Sequence, residues 1–169
     1  MQTADILILI AIGLFTGYLG LIYVIFGGLP SVSQSYYEFE KKYGHKFTWL
    51  FSAVMIAFAV LIVIAGLEKT IGNQLHFLVF LATSAICFVG AAPQFKQSLT
   101  HGVHYGGAVI GMLCGALMVL FTLSLAPIFI LMLLGVAIIG WAGIKNRLYW
   151  LELLVFYTAS LSLLLFDKF

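Results

Sequence analysis

The chain has 169 residues, of which 63% are hydrophobic and only 8% are charged, and its formal net charge at pH 7 is +2. A soluble domain is about 45–50% apolar and about 25% charged, and a folded chain of this size still exposes roughly 30% of the surface of its unfolded form. The composition therefore excludes a water-soluble globule, a disordered chain and a nucleic-acid-binding protein, and it predicts an integral membrane protein.

Six apolar stretches, each long enough to cross a bilayer as a helix, follow one another along the chain. They cover residues 6–27, 47–67, 74–92, 102–125, 127–144 and 148–166. The stretch from Ile6 is too long for a cleaved signal peptide and follows no basic segment, so we interpret it as the first span. Pro127 suits the first turn of the fifth helix, where the N–H that proline lacks would have no partner. The predicted fold is all-α, a single domain formed by a bundle of six transmembrane helices.

The connection between the first two spans is the only sizeable loop of this predicted topology. Ser35 and Glu38 have the spacing of a capping box, and Gly44 suits the position just after a helix ends. These signals predict a short helix over Tyr36–Tyr43, whose aromatic side chains would suit the membrane interface. The helix is either a connector that lies on the bilayer or a lip over a cavity.

Lysine and arginine are unevenly distributed between the two sides of the predicted bundle. The first, third and fifth loops contain six of these cations, and the other side contains Lys69 and Lys168. The six are Lys41, Lys42, Lys46, Lys96, Lys145 and Arg147. Because loops rich in lysine and arginine stay in the cytoplasm, we expect both termini to lie outside. The expected location is a bacterial inner membrane.

Glycines recur at helical spacing in several spans, most regularly at Gly107, Gly111 and Gly115. Lipid tails solvate large apolar side chains well, so helices in a bilayer gain most where small residues allow close contact. The stripe therefore predicts a fourth span that packs at the centre of the bundle. Such glycine stripes are also surfaces through which a homo-oligomer could form.

Glu152 is the outstanding ionisable residue inside a span, about one turn from the predicted cytoplasmic end of the sixth helix. Ionisable groups in a span are costly and mark functional sites by default, although this carboxylate could simply reach back to Arg147. His101 and His104 lie on one face of the fourth span near the same side. We expect no bound cofactor; the alternative is a zinc site formed by His101, His104 and Glu152, since imidazole and carboxylate are zinc ligands.

Polar residues therefore converge on the cytoplasmic side, above apolar walls formed by the spans. A cleft of this kind suits an amphipathic ligand with a polar head and acyl tails, and Lys96 and Arg147 suit a phosphate or carboxylate head. The alternative is that these are loop residues in water. The candidate ligand-binding residues are Ser31, Ser33, Lys96, His101, His104, Arg147 and Glu152.

Two short segments resemble a known family. Pro30-Ser31-Val32-Ser33 follows the first span, and His104-Tyr105-Gly106-Gly107-Ala108 lies in the fourth. Both resemble the six-span Frag/DRAM/Sfk group and related bacterial membrane families. This resemblance implies a six-helix membrane fold and a lipid-related role that involves Ser31, Ser33 and His104.

Three functions remain open at this stage, and the sequence does not decide whether the protein is an enzyme. The first is a protein that binds or senses a lipid-like molecule, with membrane lipids as partners and no nucleic acid. The second is a membrane-embedded, metal-dependent hydrolase that acts on a lipid. The third is a small accessory or structural subunit that packs through its glycine stripes. Ion-coupled transport is disfavoured because the two halves of the chain differ and no charge lies at the predicted mid-membrane level.

Overall fold

A computed structural model describes residues 2–94, 97–123 and 125–166, with the backbone alone for residues 94 and 97–101. Over these ranges it confirms the all-helical prediction, with seven α-helices and no strand. The helices are α1 (Thr3–Phe26), α2 (Gln34–Tyr43), α3 (Trp49–Lys69), α4 (Phe77–Ala91), α5 (Gln97–Leu117), α6 (Ala126–Trp141) and α7 (Arg147–Leu165). Short 3₁₀ turns follow α2 and α4, and α5 continues as a π-helical turn over Met118–Thr122.

Four helical segments are long and apolar enough to cross a membrane, namely α1, α3, α7 and the Gly102–Thr122 part of α5 with its π turn. The apolar helices α4 and α6 have only 15 and 16 residues, against the about 20 that a spanning helix needs. They are shorter than their predicted spans for local reasons. The side chain of Asn73 holds the turn before α4 by accepting the N–H of Leu75 at 2.8 Å. Gly143, at φ +63°, turns the chain soon after α6.

Five of the helices form a closed ring, in which α1, α3, α4, α5 and α7 pack in that order and α7 returns to α1. Neighbours in this ring run antiparallel, as the contact between the start of α1 (Asp5) and the end of α3 (Lys69) illustrates, except for α5 and α7, which both run from the Glu152 end to the Leu163 end of the bundle. Helix α6 lies outside the ring and packs on α7 and on the π turn. The ring encloses the space in which the candidate site lies.

The glycine stripe of α5 serves packing inside the chain, as predicted. A Cβ atom on Gly107 would lie 3.0 Å from the carbonyl oxygen of Ala85, so α5 and α4 approach as closely as backbones allow. Gly111 faces the same helix, and Gly115 faces α7. The glycines of α1, in contrast, face open space: Gly13, Gly17 and Gly20. The homo-oligomer expected to form through glycine stripes stays a prediction.

Large apolar side chains cover much of the outer surface of the bundle. Val24, Ile71 and Trp141 are 83%, 84% and 92% exposed. An apolar surface this extensive is unsuited to water. Together with the four long apolar helices, it indicates a membrane-embedded protein.

Helix α2 differs from its prediction at its start. It begins at Gln34, and Ser35, predicted as its cap, is fully buried within it. The Ser35 hydroxyl donates to the carbonyl oxygen of Val32 at 2.5 Å and lies 2.6 Å from the hydroxyl of Tyr18. The helix ends before Gly44, at φ +65°, as predicted. The Phe39 ring packs edge-on against that of Phe26, with 4.9 Å between the ring centroids, and Phe39 is only 2% exposed. Its side chain is therefore not available to the membrane interface.

Candidate ligand-binding site

An elongated cavity lies between α3, α4, α5 and α7. Each helix lines it over about three turns, or about 16 Å: residues 51–62 of α3, 79–89 of α4, 107–118 of α5 with its π turn, and 152–163 of α7. The space open to the centre of a water molecule is about 70 Å³. Averaged over that length, this volume corresponds to a mean width of about 5 Å once a water radius of about 1.4 Å is added on each side.

The walls of this cavity are almost entirely apolar. Among the described residues that line it, the polar side chains are Ser33, Thr83, Glu152 and Ser160. The Thr83 hydroxyl donates to the carbonyl oxygen of Val79 in its own helix at 2.8 Å, which satisfies it locally. Ser33 and Glu152 lie together at one end, which we call the mouth.

The opposite end, which we call the floor, lies beside the π turn. Met118 and Leu163 line it. Behind it, the Asn73 side-chain amide donates to the carbonyl oxygen of Thr122 at 2.8 Å, and the Thr122 hydroxyl donates to that of Leu75 at 3.1 Å. These two bonds tie the α3–α4 connection to the end of the π turn. Apolar side chains therefore line the floor, and two hydrogen bonds behind them hold the surrounding segments together.

The mouth is formed where the segment after α1 crosses the first turns of α7. The backbone N–H of Val32 donates to the Glu152 carboxylate at 2.7 Å. The N–H of Tyr149, one of the groups that a helix leaves unpaired in its first turn, donates to the carbonyl oxygen of Pro30 at 3.1 Å. Each segment thus satisfies a backbone donor of the other, and the bond to the carboxylate is charge-assisted when Glu152 is ionised.

Ser31 and Ser33 form a small hydroxyl pair beside this contact. Their Oγ atoms are 3.0 Å apart, and the Ser31 Oγ also accepts the backbone N–H of Gln34 at 3.2 Å. These bonds fix the turn that leads into α2. Because Ser33 also lines the cavity, the turn presents a hydroxyl close to the Glu152 carboxylate.

The structure thus brings together three of the predicted site residues, Ser31, Ser33 and Glu152. His104 lies on α5, one turn before Ala108, which lines the cavity. Its half-buried ring is edge-on to that of Tyr105, with 5.8 Å between the ring centroids. Arg147 is the exposed first residue of α7, and no ion pair joins it to Glu152 in the described part of the chain.

Lys96 and the side chain of His101 lie outside the described residues. The alternative zinc set of His101, His104 and Glu152 therefore lies partly outside them as well. Among the side chains that are described, no three His, Cys, Asp or Glu residues are grouped so that they could hold a metal ion.

Sequence reasoning missed a buried ion pair at the opposite end of the bundle. The Lys69 ammonium lies 2.9 Å from the Asp5 carboxylate, and the two side chains are 1% and 11% exposed. The sequence places both residues at the outer ends of the first two spans, which are antiparallel neighbours. Their opposite charges at equal depth were the signal that could have revealed the pair.

No protein-family model, no curated protein and no solved structure matches this chain. The geometry of the cavity and of its mouth therefore carries the functional inference.

Proposed function

We propose that this protein is an integral membrane protein that binds an amphipathic, lipid-like molecule. The apolar part of the ligand lies between α3, α4, α5 and α7, and its polar head lies beside Ser33 and Glu152. The observation that carries this proposal is a narrow apolar cavity that ends at a carboxylate.

The chemistry of the cavity supports a ligand of this kind. Apolar cavities stay dry and take up apolar molecules, and ligand sites are typically apolar with a few polar groups that fix orientation. Glu152 is such a group, and an ionisable residue inside a membrane helix marks a functional site by default.

We also propose that all six apolar helices cross the membrane, with the mouth on the cytoplasmic side of a bacterial inner membrane. With its following 3₁₀ turn, α4 extends over Phe77–Gln94, which approaches the length of a span. The pairing of Lys69 with Asp5 supports the orientation. The orientation was predicted from lysines and arginines in loops, and Lys69, which is buried and paired with a carboxylate, is not a loop cation on the outer side. The remaining described cations belong to loops or helix ends at the mouth.

A common architecture with the Frag/DRAM/Sfk group is part of this proposal. It rests on the two sequence segments that carry the resemblance, Pro30–Ser33 and His104–Ala108.

The experiment that tests lipid binding fills the cavity and measures what the protein retains. The Ala108→Leu variant adds bulk at a wall position, whereas Ala137→Leu adds the same bulk at an exposed position of α6. Native mass spectrometry of protein extracted from membranes in detergent is expected to show a bound amphiphile in the parent and in Ala137→Leu, and its loss in Ala108→Leu. An equal yield of bound amphiphile from all three proteins, or none from the parent, would contradict the proposal.

The same chelator-free samples address the metal-dependent hydrolase. Stoichiometric zinc that is lost in a His104→Ala variant, together with zinc-dependent hydrolysis of a lipid by the parent, would replace lipid binding by lipid hydrolysis as the function. Protein without zinc that retains its amphiphile supports binding alone.

A further inference from the structure

We infer that the ligand has one unbranched alkyl chain of about a dozen carbons and a head that donates hydrogen bonds, such as a primary amine or an alcohol. This inference rests on the lipid-binding function proposed above and specifies the chemical class of the ligand.

The width of the cavity selects a single chain. Non-bonded carbon atoms come to rest about 4 Å apart, so a mean width of about 5 Å suits one hydrocarbon chain in cross-section. Two acyl chains side by side, a sterol or a methyl-branched chain would each require the four helices to separate. Close contact of α5 with α4 at Gly107 resists such a separation.

The length of the cavity sets the length of the chain. Between the mouth at Glu152 and the floor at Leu163, the cavity extends about 16 Å along α7. A carbon–carbon bond is about 1.5 Å long, and an extended zigzag chain advances somewhat less than this per carbon. About a dozen carbons therefore reach from the mouth to the floor, where the Met118 side chain lies.

The mouth selects the head. One oxygen of the Glu152 carboxylate accepts the N–H of Val32, and the other has no hydrogen-bond partner among the described residues. When Glu152 is ionised, its carboxylate can only accept hydrogen bonds, and a donor or a cation at the ligand head then stabilises it. The Ser33 hydroxyl, close by, can accept from the same head.

An acidic head fits this mouth poorly. The sequence suggested a phosphate or carboxylate held by Lys96 and Arg147; of these two, the structure describes Arg147, which is exposed at the start of α7. An anionic head at the end of the chain would lie beside the Glu152 carboxylate, and like charges brought together at a desolvated site oppose binding.

Photolabelling tests this inference in the full-length protein, reconstituted in nanodiscs of a two-chain phosphatidylcholine. The probe is a twelve-carbon primary amine with a diazirine at its far end, and mass spectrometry locates the label. We expect labelling near Met118 and Leu163 at the floor. Unlabelled dodecylamine and dodecanol should compete for it about tenfold more effectively than dodecanoate.

Two substitutions separate the role of the carboxylate from general effects. Glu152→Gln keeps an acceptor oxygen and removes the charge, so it should abolish the discrimination between dodecylamine and dodecanoate while floor labelling by the amine probe persists. Glu68→Gln, at an exposed site at the opposite end, should behave like the parent.

The possible failures are distinguishable. Absence of labelling from the cavity, with the amine probe and with an alcohol probe of equal length, overturns the proposed function itself. Floor labelling that dodecanoate blocks as well as dodecylamine overturns the head-group assignment and leaves lipid binding intact. Floor labelling that a two-chain or branched competitor blocks equally overturns the single-chain assignment.

Discussion

The backbone N–H of Val32 donates a hydrogen bond of 2.7 Å to the carboxylate of Glu152, although 120 residues separate the two in sequence. This contact joins the segment after the first helix to the last helix. It also fixes one of the two carboxylate oxygens at the mouth of the cavity, so it links the stability of the fold to the chemistry of the site.

Removal of the carboxylate should loosen this segment. The change Glu152→Ala leaves the Val32 N–H without its acceptor, at a cost of about 1–3 kcal/mol in the free energy of unfolding. We expect a lower melting temperature in detergent and faster hydrogen exchange at the Val32 amide. The matched change Glu68→Ala, at an exposed carboxylate, should alter neither, and an unchanged Val32 exchange rate in Glu152→Ala would argue against the contact.

Removal of one charge of the buried Asp5–Lys69 pair should cost more stability than removal of both charges. Lys69→Met removes the ammonium that lies 2.9 Å from the Asp5 carboxylate and should destabilise the protein by about 3–5 kcal/mol. The double change Asp5→Leu with Lys69→Met removes both charges and should recover most of that loss. Thermal unfolding of the three proteins measures both effects, and a double variant as unstable as Lys69→Met would show that the charges are not coupled.

The contact between α4 and α5 should make Gly107 intolerant of a side chain. In Gly107→Ala, the new methyl group would lie 3.0 Å from the Ala85 carbonyl oxygen, and overpacking of this kind costs about 1–3 kcal/mol. Gly106→Ala is the control, because a Cβ there meets nothing within 4 Å. Gly106→Ala should leave the free energy of unfolding unchanged or raise it by up to about 1 kcal/mol, since alanine favours a helix more than glycine does. Equal melting temperatures for the two variants would contradict the observed packing.

The buried hydroxyl pair of Tyr18 and Ser35 should contribute as a coupled unit. Their oxygen atoms are 2.6 Å apart, so Tyr18→Phe and Ser35→Ala each leave a buried polar group short of a partner, at a cost of about 1–3 kcal/mol. A double-mutant cycle measured by thermal unfolding should give a coupling energy of about 0.5–3 kcal/mol. Additive effects of the two changes would show that the hydroxyls act independently.

Local signals in the sequence predicted much of the helical framework. The composition identified the class of protein, Pro127 marked the first turn of α6, and Gly44 marked the end of α2. The glycine stripe of α5 predicted its central packing. These features depend on a residue's own conformational preference or on its size, both of which the sequence states directly.

Features that depend on distant partners were not predictable in the same way. Glu152 stood out as a buried ionisable residue, but a backbone N–H such as that of Val32 leaves no mark in the sequence. Ser35 had the spacing of a helix cap, yet the hydroxyl of Tyr18 on another helix gives it a buried partner inside α2. The cavity itself arises from the spacing of four helices, which no local pattern contains.

The hydrogen bonds at the mouth also bear on biosynthesis. The segment at Pro30–Val32 is made early, but the groups that hold it, the Tyr149 amide and the Glu152 carboxylate, lie in the last helix. Because chains emerge from the ribosome with the N-terminus first, these groups arrive only after about 120 further residues have been synthesised. The mouth therefore cannot be completed before α7 is made, and a nascent chain without α7 has a cavity with one wall missing.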